Sequence, residues 1–147
     1  MESSVEKAEK HKEEGNNFLK DSKIEEAIDS YTKAIESGST AAEFPTDKLA
    51  IYYSNRAFCQ LKNESYGLAL RDANESIRLN KDYAKAYYRA GSAYLVLSRN
   101  KDAFEAFKEA FRLSGNKDEF IYEKLKTLKE VVESEQKQKR MAIFAGL

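Results

Sequence analysis

Five polar side chains have the types and spacing needed to hold carboxylate groups. Lys12 and Asn16 are four residues apart, as are Lys85 and Arg89, and Asn55 lies between the two pairs in sequence. Side chains four residues apart share one face of a helix. Lysine and arginine form charge-assisted hydrogen bonds with carboxylates, asparagine amides donate further hydrogen bonds, and the arginine fork binds both oxygens of one carboxylate. If these residues converge, they predict a site for two carboxylates, such as those of a C-terminal acidic residue.

Patterns for enzymatic chemistry are absent from the sequence. It has no glycine-rich phosphate loop, no metal-ligand spacing and no nucleophile beside a plausible base. His11 has no partner at catalytic or metal-binding spacing, and Cys59 stands inside a helical pattern where a small residue is expected, so both are predicted to pack in the core. We therefore predict that this chain is not an enzyme and that it binds no metal and no cofactor.

The charge balance limits the possible partners. The 25 Lys and Arg residues equal the 25 Asp and Glu residues, so no whole-surface attraction to nucleic acid or to an anionic membrane is expected. No stretch approaches the ~18 apolar residues of a membrane span, and Met1 to Lys12 is too charged for a signal peptide. The single cysteine excludes an internal disulfide. We expect a cytoplasmic and also nuclear protein.

The elements that must position the five residues are helices. The 147 residues include one proline and six glycines, which predicts a single all-α domain. Helical patterns of about 13 residues recur between short turn sequences. These turns are Asp21-Ser22, Asn63-Glu64-Ser65, Asn80-Lys81, Ser98-Arg99-Asn100 and Ser114-Gly115-Asn116. The spacing predicts pairs of helices.

An internal repeat accompanies these pairs. Ala27, Ala69 and Ala103 occupy equivalent registers, and the last two are 34 residues apart. Small and aromatic residues recur around these anchors; they are Gly15, Phe18, Tyr31 and Ala34, then Tyr53, Ala57 and Tyr66, then Tyr87, Gly91, Tyr94, Phe107 and Ala110. The pattern resembles the tetratricopeptide repeat (TPR) family. The resemblance implies three helix-turn-helix repeats, at about 8–36, 50–80 and 84–114, stacked in a right-handed superhelical solenoid.

The sequence also departs from the family pattern. Ala27 and Ala69 are 42 residues apart, so Ser37 to Lys48 is expected to form an enlarged loop or a helix extension. Gln60 and Ser76 replace an expected aromatic and an expected alanine. These changes weaken individual contacts without changing the predicted fold.

A long amphipathic segment follows the third repeat. Ile121, Leu125, Leu128 and Val132 fall on one helical face between about 117 and 140. Such a segment is predicted to cap the open end of a solenoid. The apolar residues 141–147 then form a tail that is expected to meet a partner or to continue into a longer chain.

In a TPR solenoid the first helix of each pair lines a concave groove, here at about 6–20, 49–62 and 83–97. The five polar residues match the carboxylate clamp of co-chaperone TPR domains. That resemblance implies binding of the Glu-Glu-Val-Asp type C-terminal tail of heat shock protein 90 or 70 chaperones. Leu19, on the same face as Asn16, is predicted to line an apolar subpocket, and Lys62 to add a cation.

Two other functions stay open. The segment Tyr66 to Ala73, with Lys85 to Arg89 and Lys137 to Arg140, is most similar to the TPR domain of the serine/threonine protein phosphatase 5 family. The chain would then target and autoinhibit, in cis, a catalytic domain that lies outside it. A scaffold that recognises an internal peptide, without a terminal carboxylate, is the third hypothesis.

Overall fold

Seven α-helices follow one another in the computed structural model, which describes residues 1–146 and contains no strand among them. They are α1 Ser4–Lys20, α2 Ile24–Ser39, α3 Thr46–Lys62, α4 Tyr66–Leu79, α5 Ala84–Val96, α6 Asn100–Leu113 and α7 Glu119–Phe144. Each helix packs against the next, and α3 also contacts α5. The predicted all-α fold of three helix pairs and a capping helix is confirmed, and the first helices of successive pairs are neighbours.

The same turn ends the first helix of every pair. Ser22, Glu64 and Ser98 adopt left-handed backbone conformations with φ of 57°, 64° and 60°. The N–H group that follows each of them donates to a carbonyl in the last turn of the helix, at 2.8 to 2.9 Å. This hydrogen bond is the mark of a Schellman-type helix end, which satisfies a carbonyl that would otherwise lack a partner. The repeated turn folds the second helix of each pair back onto the first.

Two glycines allow the helices of the first and third pairs to approach closely. A Cβ atom at Gly15 would lie 2.6 Å from Cε1 of Tyr31, and one at Gly91 would lie 2.8 Å from Cε1 of Phe107. Both aromatic rings are fully buried. The ring of the second helix therefore occupies the space that a side chain on the first helix would need.

The core is a series of small clusters along the solenoid, each formed by neighbouring helices. Its buried members include Ala8, Ala34, Ile35, Phe44 and Tyr52, then Ala27, Tyr31 and Cys59, then Ala57, Ala73, Ala90 and Ala106, and finally Ala103, Phe107, Ala110, Ile121 and Leu128. In a core of this kind, each repeat is stabilised by packing against the neighbouring repeat.

The long interval between the first two pairs folds partly as helix and partly as loop. Helix α2 continues to Ser39 and α3 begins at Thr46, so residues 40–45 form the connection. Phe44, in this connection, is buried with its ring centroid 6.2 Å from that of Tyr52. Lys48, on the first turn of α3, reaches Glu9 on α1 at 2.9 Å. The insertion thus packs against the first repeat.

Ser76 shows how a departure from the repeat pattern is accommodated. Its hydroxyl is fully buried and donates to the Ala50 carbonyl at 2.6 Å. A buried hydroxyl costs stability unless it is hydrogen-bonded. The bond satisfies the hydroxyl and ties α4 to α3.

Helix α7 caps the last pair but extends further than predicted. Ile121, Leu128 and Val132 are buried, as the sequence pattern indicated. The helix continues beyond Arg140 to Phe144, so the first residues of the apolar segment are helical rather than part of a tail. Leu147, the last residue of that segment, lies outside the described residues. Among residues 1–146, no helix combines the length and the apolar character required to cross a bilayer.

The close approach at Gly91 predicts a specific loss of stability. Gly91→Ala forces the buried Phe107 ring to move, and overpacking of this kind costs about 1–3 kcal/mol. A domain of this size loses about 2–4 °C of melting temperature per kcal/mol. Gly67→Ala is the matched control, because no atom lies within 4 Å of its added Cβ. Thermal unfolding followed by circular dichroism should separate the two variants; equal melting temperatures would contradict the packing argument.

Candidate carboxylate-binding groove

The predicted site residues lie on the three first helices. They are Lys12, Asn16 and Leu19 on α1, Asn55 and Lys62 on α3, and Lys85 and Arg89 on α5. Asn55 is half-buried on α3, the helix that contacts α5, whereas Lys85 and Lys62 are exposed. All seven residues therefore belong to the first helices of the three pairs.

Three of the predicted residues share a pocket between α1 and α3. Asn16, Leu19 and Lys62 line a cavity of about 550 Å³ together with Phe58. The oxygen of the Asn16 amide accepts a hydrogen bond from the Tyr31 hydroxyl at 2.6 Å. Because that bond uses the oxygen, the amide nitrogen is left to donate. The pocket thus combines apolar walls with a donor and a cation.

Arg89 is a half-buried cation beside Phe58, one of the residues that line this pocket. Its Nε atom is buried without a hydrogen-bond partner, and its guanidinium carbon lies 4.4 Å from the centre of the Phe58 ring and 5.9 Å from that of Tyr88. Burial lowers the pKa of Arg89, and no carboxylate of residues 1–146 forms an ion pair with it. Lys85 lines an adjoining cavity of about 230 Å³ with Arg89. The α5 residues therefore carry positive charge that the described part of the chain does not neutralise.

Lys12 has an acidic partner on its own helix. Its ammonium lies 2.7 Å from Oε2 of Glu9, while Oε1 of Glu9 accepts hydrogen bonds from Lys48 at 2.9 Å and from the Tyr52 hydroxyl at 3.0 Å. The hydrogen bond that Lys12 donates to Glu9 raises the pKa of Lys12. Burial acts to raise the pKa of Glu9, but the three hydrogen bonds outweigh it and lower that pKa from 4.5 to about 2.

Tyr83 shows that the cations of the first and third repeats converge. Burial raises the pKa of the Tyr83 hydroxyl, and the positive charges of Arg89 and Lys12 both oppose this shift. Two cations separated by more than half of the chain thus act on one hydroxyl group.

Several residues of the groove were missed by the sequence analysis. Phe58 lies three residues after Asn55 and four before Lys62, and this spacing could have placed it on the same face of α3. Glu9 stands three residues before Lys12 and could have been recognised in the same way. Tyr83 lies just before α5, and no sequence signal marks it.

The two residues assigned to the core behave differently. Cys59 is fully buried as predicted, and burial raises its pKa to about 11. The prediction for His11 is wrong: the ring is half-buried and its Nδ1 atom lies 3.4 Å from Glu14. The described residues also contain no cluster of three or more His, Cys, Asp or Glu suited to a metal ion.

Comparison with known proteins shows a consistent set of relatives, although no protein-family profile matches the chain. The chain is 38% identical over 112 residues to RNA polymerase II-associated protein 3 of Xenopus laevis, covering 76% of this chain and 16% of that protein. It is 33% identical over 115 residues to serine/threonine-protein phosphatase 5 of Rattus norvegicus, covering 78% and 21%. The chain therefore spans about one fifth or less of the length of these curated relatives.

Two solved structures match nearly in full. The first TPR of Spaghetti (RPAP3), bound to the HSP90 peptide SRMEEVD, has a TM-score of 0.77 and 29% identity, covering 88% of this chain and 98% of that chain. The second TPR of the same protein, bound to the same peptide, has a TM-score of 0.67 and 31% identity, covering 74% and 94%. The chain belongs to the tetratricopeptide repeat family.

The hydrogen bonds of Glu9 predict a pH-dependent contribution to stability. Because the folded-state pKa is lowered, the ionised carboxylate stabilises the fold above about pH 4.5, and this contribution is lost as the pH falls towards about 2. Glu9→Gln should therefore reduce the free energy of unfolding most at neutral pH, and the difference from wild type should shrink across that window. Urea unfolding of the wild-type protein and of Glu9→Gln at pH 7, 4.5 and 3 measures this difference in the free energy of unfolding. Lys48→Met, which removes one donor, should show an intermediate effect; a pH-independent difference for Glu9→Gln would refute the assignment.

Proposed function

We propose that this TPR domain binds the acidic C-terminus of a partner protein, namely the tail of a heat shock protein 90 or 70 chaperone. The observation that carries the proposal is Arg89: its Nε atom is buried without a hydrogen-bond partner, no carboxylate of residues 1–146 pairs with it, and its charge acts together with that of Lys12 on the Tyr83 hydroxyl. A ligand carboxylate would supply the partner that the described residues do not.

The chemistry of the groove suits a terminal acidic residue, which carries two carboxylates. Arg89 can bind one of them through two parallel N–H donors, and Lys12 and Lys85 contribute charge. The amide nitrogens of Asn16 and Asn55 add neutral donors. Leu19 and Lys62, in the pocket between α1 and α3, would hold the side chain of a preceding residue. Only a chain end offers both carboxylates at one residue.

The comparisons support this choice of partner. Both Spaghetti domains were solved with the HSP90 peptide SRMEEVD, which ends in Glu-Glu-Val-Asp. The similarity to these domains extends over most of this chain, and in the sequence the five polar residues resemble the carboxylate clamp of co-chaperone TPR domains. The chain itself would contribute recognition rather than catalysis.

The proposed function predicts that a terminal carboxylate is required. A SRMEEVD peptide with an unmodified C-terminus should bind with micromolar affinity, about −8 kcal/mol, and the affinity should fall as salt rises. The C-terminally amidated peptide, and the Arg89→Ala variant with either peptide, should show no measurable binding in isothermal titration calorimetry. Arg112→Ala is the control, because Arg112 is exposed on α6 and paired with Glu109. Equal affinity for the two peptides would favour a scaffold that recognises internal sequences.

A second candidate function follows from the similarity to phosphatase 5. In this alternative the chain is the targeting and autoinhibitory domain of a serine/threonine phosphatase, with the groove side facing the active site in cis. The prediction is that the reading frame of the gene continues beyond Leu147 into a metallophosphatase domain whose activity rises when residues 1–147 are deleted. Sequencing of the full transcript and a phosphatase assay on both forms test it, and a frame that stops after Leu147 excludes it.

A further inference from the structure

The Phe58 ring lies close to two cations of the groove. The Arg89 guanidinium carbon is 4.4 Å from the centre of its ring, and the Lys62 ammonium is 4.9 Å from the same centre. Phe58 is half-buried on α3 and also lines the pocket that Asn16 and Leu19 form. Its ring therefore lines the apolar pocket and also lies beside the Arg89 guanidinium.

Arg56 provides an internal comparison for Arg89. Arg56, on α3, lies 5.5 Å from the centre of the Tyr53 ring, but its Nε and Nη2 atoms also donate to the two Asp72 oxygens at 2.6 and 2.9 Å. Its charge and its fork are thus already used within the fold. Among residues 1–146, no side-chain hydrogen bond or ion pair holds Arg89, and its guanidinium lies beside the Phe58 and Tyr88 rings, so an aromatic face takes the place that a carboxylate has at Arg56.

An aromatic face and a carboxylate hold a guanidinium in different ways. The ring attracts the flat face of the cation, whereas a carboxylate occupies the N–H donors at its edge. Stacking therefore orients the group and leaves its donors available. A group that is ordered before binding also loses less conformational entropy when the ligand arrives.

We propose that Phe58 is a positioning residue: its ring holds the Arg89 guanidinium in the orientation that receives a ligand carboxylate, without neutralising its charge. The inference rests on the proposed function, because it assigns Phe58 a role in the same groove. It adds a residue whose contribution is exerted through Arg89 rather than through contact with the terminal carboxylate.

The first test compares Phe58→Leu with Phe58→Tyr by calorimetry with the SRMEEVD peptide. Loss of the ring should weaken binding about tenfold, and Phe58→Tyr should remain within about twofold of wild type. Tyr53→Leu is the matched control: it removes the ring beside the arginine that Asp72 already holds, so affinity should be unchanged. Circular dichroism checks folding, and Phe58→Met replaces the leucine variant if that variant is unstable.

Two further measurements separate positioning from simple pocket packing. In the protein without peptide, the Arg89 Nε–H resonance should lose its ring-current shift in Phe58→Leu and keep it in Phe58→Tyr. The tenfold loss should also persist with a peptide whose penultimate valine is alanine, because it is exerted through Arg89. A loss that disappears with the alanine peptide, or unchanged affinity in Phe58→Leu, overturns the inference while leaving the proposed function intact. If wild-type protein does not bind the unmodified peptide, the proposed function itself fails.

Discussion

The positive charge of Arg89 is the constraint on which the groove depends. Removing a charge from water is costly unless the charge is paired, and here burial lowers the pKa of the guanidinium while no carboxylate of residues 1–146 compensates it. Aromatic faces supply part of the missing interaction. The fold thus keeps a partly desolvated cation that a ligand anion can pair with. If a carboxylate of the fold neutralised Arg89, as Asp72 neutralises Arg56, the groove would lose this available positive charge.

Such a site requires a rigid support, and the repeat packing provides it. Arg89 and Gly91 lie on the same helix, and the absence of a side chain at Gly91 lets the buried Phe107 ring fix α5 against α6. On its other side α5 contacts α3, which carries Phe58. The position of the guanidinium is therefore set by contacts on both sides of α5. This is how a fold made of generic helix pairs can place one cation accurately.

Much of the fold could be predicted because repeats leave periodic signals. The alanine anchors, the turn residues and the amphipathic pattern of α7 each report local structure, and local structure determines which faces of α1, α3 and α5 meet. What could not be predicted depends on contacts between distant segments. The pairing of Lys48 with Glu9 follows from how the 42-residue interval folds. The error at His11 arose because a position typical of a large aromatic residue was taken to be buried, whereas the half-buried ring lies near Glu14 on its own helix. The cellular location stays a prediction from the cysteine count.

The cations of the groove are unequal, and the insertion contributes to the difference. Lys48 and Tyr52 both bind one oxygen of Glu9, which leaves the other oxygen for Lys12. Lys12 is thereby held in place but shares its charge with a carboxylate that stays ionised at neutral pH. In the proposed function, a ligand would compete with Glu9 for Lys12, whereas no carboxylate of residues 1–146 pairs with Arg89. The third repeat would therefore offer the more available cation to an anion.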